Sequence, residues 1–142
     1  MVSKFKLNQD NSWVFSTLQP DNQRQGRPRL YDPKGSGGKQ LQGHTWKIRY
    51  GDGSGANGQV YLDKVGIGAI SYPNQAIGAA AKVSTSFARD QYVDGLMGLA
   101  FSKINAVRPK AQLTWFDNIK PKLAAPVFTC ALKRYQVGSL GP

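Results

Sequence analysis

Polar and apolar residues alternate along His44-Thr45-Trp46-Lys47-Ile48-Arg49 and again along Gln59-Val60-Tyr61-Leu62-Asp63. Alternation of period two puts every second side chain on one face, as in a strand buried on one side. Short runs rich in β-branched and aromatic residues, bounded by turn formers, predict strands at 12–17, 44–49, 58–65, 66–71, 75–84 and 127–132. One segment has another period. Leu113, Phe116 and Ile119 recur every third residue, which predicts a helix over 111–120 that Pro121 ends or marks as its last turn.

Sixteen glycines and eight prolines break the rest into short pieces, and no internal repeat is visible. The longest expected loop is 19–39, which holds Pro20, Pro28, Pro33 and the cluster Gly35-Ser36-Gly37-Gly38. Short strands with this punctuation predict a mainly β fold, a sheet or barrel with one or two short helices. A chain of 142 residues suits a single domain, 1–142, with a modest core.

Charge changes the range of partners. Nineteen Lys and Arg face eight acidic residues, a net charge of +11, and every acid is Asp. Such a balance makes polyanionic partners possible, or serves only as a solubilising surface. The tightest basic group, Arg24-Gln25-Gly26-Arg27-Pro28-Arg29, reads first as a solvated loop and second as a phosphate contact. The lone Cys130 forms no internal disulfide and no metal site by itself. No apolar run reaches the length of a membrane span and no Asn-x-Ser/Thr acceptor occurs; the start Met1-Val2-Ser3-Lys4-Phe5 shows no signal-peptide apolar region, which leaves open an intracellular chain or a leader already removed.

Between the two alternating runs lies Tyr50-Gly51-Asp52-Gly53-Ser54-Gly55. It is not a phosphate loop, because the Lys-Ser/Thr ending is absent and Ala56 takes the last Rossmann glycine position. A calcium loop starting at Asp52 fails too, with Ala56 at the fifth position and Asn57 at the sixth. A nucleophile triad would need His44, the only histidine, which sits in an alternating strand and reads as structural. Spacing selects no carboxylate pair. Read alone, the stretch is a β-hairpin whose glycines permit positive φ.

Its neighbours give it more meaning. Trp13-Val14-Phe15-Ser16-Thr17 precedes Tyr31-Asp32-Pro33, then Thr45-Trp46-Lys47-Ile48-Arg49-Tyr50-Gly51-Asp52-Gly53-Ser54. Asp94-Gly95-Leu96-Met97-Gly98-Leu99-Ala100-Phe101-Ser102, Trp115-Phe116-Asp117 and Pro126-Val127-Phe128 follow. In this order and spacing the chain resembles the N-terminal lobe of pepsin-like aspartic proteases, above all the fungal secreted type of the penicillopepsin and aspergillopepsin group. The resemblance runs from about residue 12 to about residue 132. It implies a single pepsin-like lobe, a six-stranded sheet or barrel with a flap hairpin.

The resemblance also implies roles. Tyr50, Gly51, Asp52, Gly53 and Ser54 would form the flap over a bound peptide, with the Tyr50 hydroxyl bonded to the Trp13 indole. The backbone of Gly51 and Asp52 would bond the peptide main chain, and Phe87 and Leu96 would line the pocket beside the scissile bond. The family's chemistry needs one Asp from each of two lobes, each in an Asp-Thr-Gly or Asp-Ser-Gly turn. No such turn occurs in this sequence: Lys6 falls at the first position, and the nearest carboxyl, Asp10, precedes Asn11. The expectation is therefore a single lobe in which residues 1–11 diverge from the family and 133–142 are a truncated interlobe segment, with the second lobe lacking from these 142 residues.

The expectation is a catalytically incompetent lobe that binds peptide or protein, with no cofactor and with possible self-association through its exposed lobe face. The alternatives are a fragment or subunit of an acid endopeptidase needing a second lobe, a cationic secreted effector binding polyanions, or a deliberately truncated lobe. Secretion is implied by the resemblance alone.

Overall fold

The computed structural model describes residues 14–17, 31–67, 69–89 and 95–130. They form a mainly β lobe whose six strands make one sheet: β1 (Val14–Thr17), β2 (Lys39–Arg49), β3 (Gly55–Ile67), β4 (Ile70–Val83), β5 (Gly95–Leu96) and β6 (Val107–Arg108). The order across the sheet is β5-β1-β4-β3-β2-β6. All pairs are antiparallel except β1 with β4. Two helices of five residues, α1 (Thr85–Arg89) and α2 (Trp115–Ile119), and the 3₁₀ turns Ser102–Ile104 and Lys120–Lys122 complete the described chain.

The long β3–β4 hairpin is the centre of the sheet. Its pairing runs from Ala56 opposite Val83 to Ile67 opposite Ile70. β4 is buried continuously from Gln75 to Ala80, because β1 and β3 flank it. A strand buried on both faces loses alternation and favours small side chains, here Gly78, Ala79 and Ala80. Gly58 faces this strand so closely that a Cβ there would overlap the Ala79 carbonyl, at a register shift between Asn57 and Gly58. Trp46, Ile48, Val60, Ala80, Leu96 and Val107 form the main core.

A smaller core of Met97, Trp115 and Ile119 seats α2 on the sheet. Thr114 caps that helix, its hydroxyl accepting from Asp117 N–H at 3.0 Å. The Trp115 indole donates to the Val65 carbonyl at 3.0 Å. The fully buried Gln75 amide donates to the Leu113 carbonyl at 3.1 Å and accepts from Asn118 at 2.9 Å, so strand and helix share one polar network.

Three expectations change. The strand expected at 66–71 is instead two strand ends, with Gly66 opposite Ser71 and Ile67 opposite Ile70. The chain reverses between the two isoleucines, so the apolar run is a hairpin end and not a continuous strand. Residues 127–130 form no strand; Phe128 packs edge-on against Phe116, ring centres 4.9 Å apart. The expected loop 19–39 gives way at Lys39, where β2 begins, and Gly43 at φ 72° carries a bulge in that strand. Residues 131–132 and the segments 1–11 and 133–142 lie outside the described residues.

Candidate functional site

β2 and β3 reverse through a three-residue loop, Gly51-Asp52-Gly53. Gly53 N–H donates to the Tyr50 carbonyl at 3.0 Å, and Tyr50 N–H to the Ser54 carbonyl at 2.8 Å. Gly53 is left-handed at φ 81°, the conformation a loop of this length requires at its third position. Asp52 fixes the tip. Its carboxylate accepts from Ser54 N–H at 2.9 Å and from the Ser54 hydroxyl at 2.6 Å. The tip residues are exposed while Ser54 is buried.

The three glycines have different reasons to be there. At Gly55 a Cβ would stand 2.7 Å from the Ile48 carbonyl, so the two strands close too tightly for a side chain. Gly53 needs its positive φ. Gly51 has neither constraint: nothing lies within 4 Å of where its Cβ would be, and its φ is not positive. Within the described chain, nothing requires a glycine at position 51.

Ser84 fastens the base of the hairpin. Its N–H donates to the Gly55 carbonyl at 2.8 Å, and its hydroxyl accepts from Gly55 N–H at 3.3 Å. Its own carbonyl accepts from Phe87 and Ala88 N–H, both at 3.1 Å, which starts α1. The helix therefore begins where the hairpin ends, and it places Phe87 against Tyr50, ring centres 5.4 Å apart and edge-on. Tyr50 and Phe87 both pack on the core that contains Leu96. So Tyr50, Phe87 and Leu96, distant in sequence, lie against one apolar cluster beneath the hairpin. Trp13, Asp10 and Lys6 lie outside the described residues.

Sequence reasoning missed Ser84 and α1. The signal was present as Ser84-Thr85-Ser86, a helix-capping composition directly after a strand. His44 is half-buried, with Nδ1 3.1 Å from the Gln42 carbonyl.

Two described carboxylates have shifted acidity, and both belong to the scaffold. Burial alone would push Asp63 up, but donors from Ser36, Lys64 N–H and Tyr31 outweigh it and hold the carboxyl below its ordinary range. Burial, then the Asp63 carboxylate, pushes the Tyr31 hydroxyl well above its ordinary range. Asp117 is held low first by Lys120, 2.7 Å away, and then by the Ser102 hydroxyl. Among the described residues no group of three His, Cys, Asp or Glu could hold a metal, and no helix is long and apolar enough to cross a membrane.

Comparison with known proteins follows the same outline. The chain is 52% identical over 128 residues to podosporapepsin of Podospora anserina, covering 89% of this chain and 30% of that protein. It is 50% identical over 126 residues to aspergillopepsin-1 of Aspergillus oryzae, with 89% and 32% covered. It is 48% identical over 126 residues to penicillopepsin-1 of Penicillium janthinellum, with 89% and 38% covered. The chain thus spans about a third of the length of these fungal relatives. A family model described as eukaryotic aspartyl protease matches residues 9–141. The chain belongs to the eukaryotic aspartyl protease family, as a lobe-length segment of the pepsin-like type.

Proposed function

We propose that this chain is the peptide-holding lobe of a pepsin-like acid endopeptidase, and that by itself it binds an extended peptide without cutting it. The observation that carries the reading is Gly51. The fold leaves the space above it empty and does not require glycine, so its bare backbone suits the close approach of another chain. Tyr50 and Phe87 beneath the hairpin, packed on the Leu96 core, supply an apolar pocket for a side chain of that peptide. Trp13 would tether Tyr50 as the flap's partner.

Hydrolysis by this family's chemistry needs two aspartates held close enough to share a proton. The sequence has no Asp-Ser/Thr-Gly turn, and Asp10 does not stand in one. Cleavage therefore calls for groups from outside these residues. The exposed Phe101, Leu113 and Val127 support association with a second lobe or a second copy. Secretion is proposed with the family, and no cofactor is required.

Gly51→Val tests the flap role. The exposed substitution is expected to leave thermal stability within about 0.5 kcal/mol. Binding of a neutral extended peptide, read by isothermal titration, is expected to weaken at least tenfold. Unchanged peptide affinity would remove the hairpin from the binding site.

A further inference from the structure

The β2–β3 hairpin has a second face. Side chains alternate between the faces of a strand, and residues directly opposite each other share one. Trp46, Ile48 and Tyr50 turn to the core, so Thr45, Lys47 and Arg49 turn outward, and all three are exposed. The register extends that outward face across four strands. Arg108 of β6 stands opposite Thr45, which stands opposite Gln59 of β3. Lys47 stands opposite Asn57, and Asn57 opposite Lys82 of β4. Arg49 stands opposite Gly55. Lys82 and Arg108 are exposed too.

Four cations therefore share one patch. Lys47 and Arg49 are about 7 Å apart along β2, and Lys47 and Lys82 about 10 Å apart across two strand spacings. Arg108 stands diagonal to Lys47, at about 7–8 Å. Its guanidinium is held there by donating to the Asn105 and Val107 carbonyls at 2.7 and 2.8 Å. These separations lie within about one Debye length, so the like charges repel and cost stability. No acid stands in these rows. Among the described residues none of the four cations has a carboxylate partner; the ion pair there is Lys120 with Asp117. An anion from outside relieves the repulsion. The patch is turned away from the apolar cluster on which Tyr50 and Phe87 pack.

We propose that this outward face binds a linear anionic polysaccharide, its sulfate or carboxylate groups seated on Lys47, Arg49, Lys82 and Arg108. Cations about 7–10 Å apart suit a polymer with spaced charges better than one small anion. Thr45, Asn57 and Gln59 lie among them and supply neutral donors and acceptors for sugar hydroxyls. These rows hold no aromatic ring on which a base could stack, which sets nucleic acid second. Because the face is opposite the apolar side of the hairpin, the site stands independently of the peptide reading. It anchors the lobe to an anionic matrix and leaves the apolar side free.

The test uses the full chain with a labelled heparin oligosaccharide and a labelled oligogalacturonate, read by fluorescence anisotropy across a range of salt. Lys47→Gln with Lys82→Gln takes two charges from the face. Lys34→Gln with Lys64→Gln takes two from elsewhere, since Lys34 lies in the turn at 33–37 and Lys64 lies seven positions beyond Asn57 on β3. Both variants lower the net charge of +11 by the same amount. At least one saccharide is expected to bind, more weakly as salt rises, and the arm that binds tells sulfate from carboxylate. The face variant is expected to lose about tenfold in that affinity, as two exposed ion pairs would give, and the other variant less than about threefold. Affinity for an extended neutral peptide is expected to stay the same in both, which separates failure here from failure of the flap reading. Equal loss of saccharide affinity in the two variants reduces the effect to net charge and overturns the site. No binding of either saccharide overturns it as well, and so does single-stranded DNA of like charge binding as tightly.

Discussion

Glycine carries three separate meanings within five residues. Gly53 is a conformational requirement, and Gly53→Ala is expected to cost about 1–2 kcal/mol in chemical denaturation, the cost of a left-handed alanine. Gly51 is open and should tolerate alanine with no loss of stability. Farther along, Gly58 is a packing requirement, since any side chain meets the Ala79 carbonyl. Gly58→Ala is expected to cost about 3 kcal/mol by overpacking, read as a lowered denaturation midpoint. A loss under about 0.5 kcal/mol would mean the β3–β4 register shifts freely to make room. The sequence displays the glycine cluster but not this division, because φ and neighbour distances are properties of the folded backbone. The resemblance named Tyr50 and Phe87 separately, as flap and pocket residues, but their ring contact was not legible, since they lie 37 positions apart.

The elements most legible from pattern were those buried on one face. The alternation of 44–49 became the exposed–buried alternation of β2, with Trp46 and Ile48 inside and Lys47 and Arg49 outside. A run that reverses within itself misled, as at 66–71, whereas the run buried on both faces was still read as a strand at 75–84 and lies in β4. The helix expected over 111–120 shrank to Trp115–Ile119 because Thr114 caps it and Gln112 N–H is already bonded to the Asn105 side chain at 3.1 Å. Periodicity marks a helical face but not the hydrogen bonds that set its ends. Gln75 is the joint between elements. Gln75→Ala is expected to cost about 2–4 kcal/mol, because it opens a cavity and strips the Leu113 carbonyl and the Asn118 amide of their partner. A cost near zero would show that α2 is held by Trp115 and Ile119 alone.

At the scale of the whole molecule, acidity and proteolytic setting meet. A depressed carboxyl pKa means the folded chain holds the ionised form more tightly than the unfolded chain does. Asp63 and Asp117 therefore stabilise the fold fully above their unfolded value of 3.8, and that contribution is lost as pH falls through the folded values. The melting temperature is expected to drop on acidification through that range, and Asp63→Asn should flatten part of the drop. An identical pH profile for wild type and variant would exclude Asp63 as a cause. The fold class and the family were readable from the order of motifs, while the short pairing of β6 with β2 was not, because two-residue β6 has no pattern of its own to read.

The central claim is that this lobe holds peptide but does not cut it alone. The most direct measurement incubates the purified chain at acid pH with a denatured protein substrate, with and without a statine-type transition-state analogue, and follows fragments by mass spectrometry. The expected result is no fragments beyond the buffer control, from a preparation that binds extended peptide. Fragments that disappear with the analogue would contradict the claim and place a working aspartate pair in the chain or its self-assembled form.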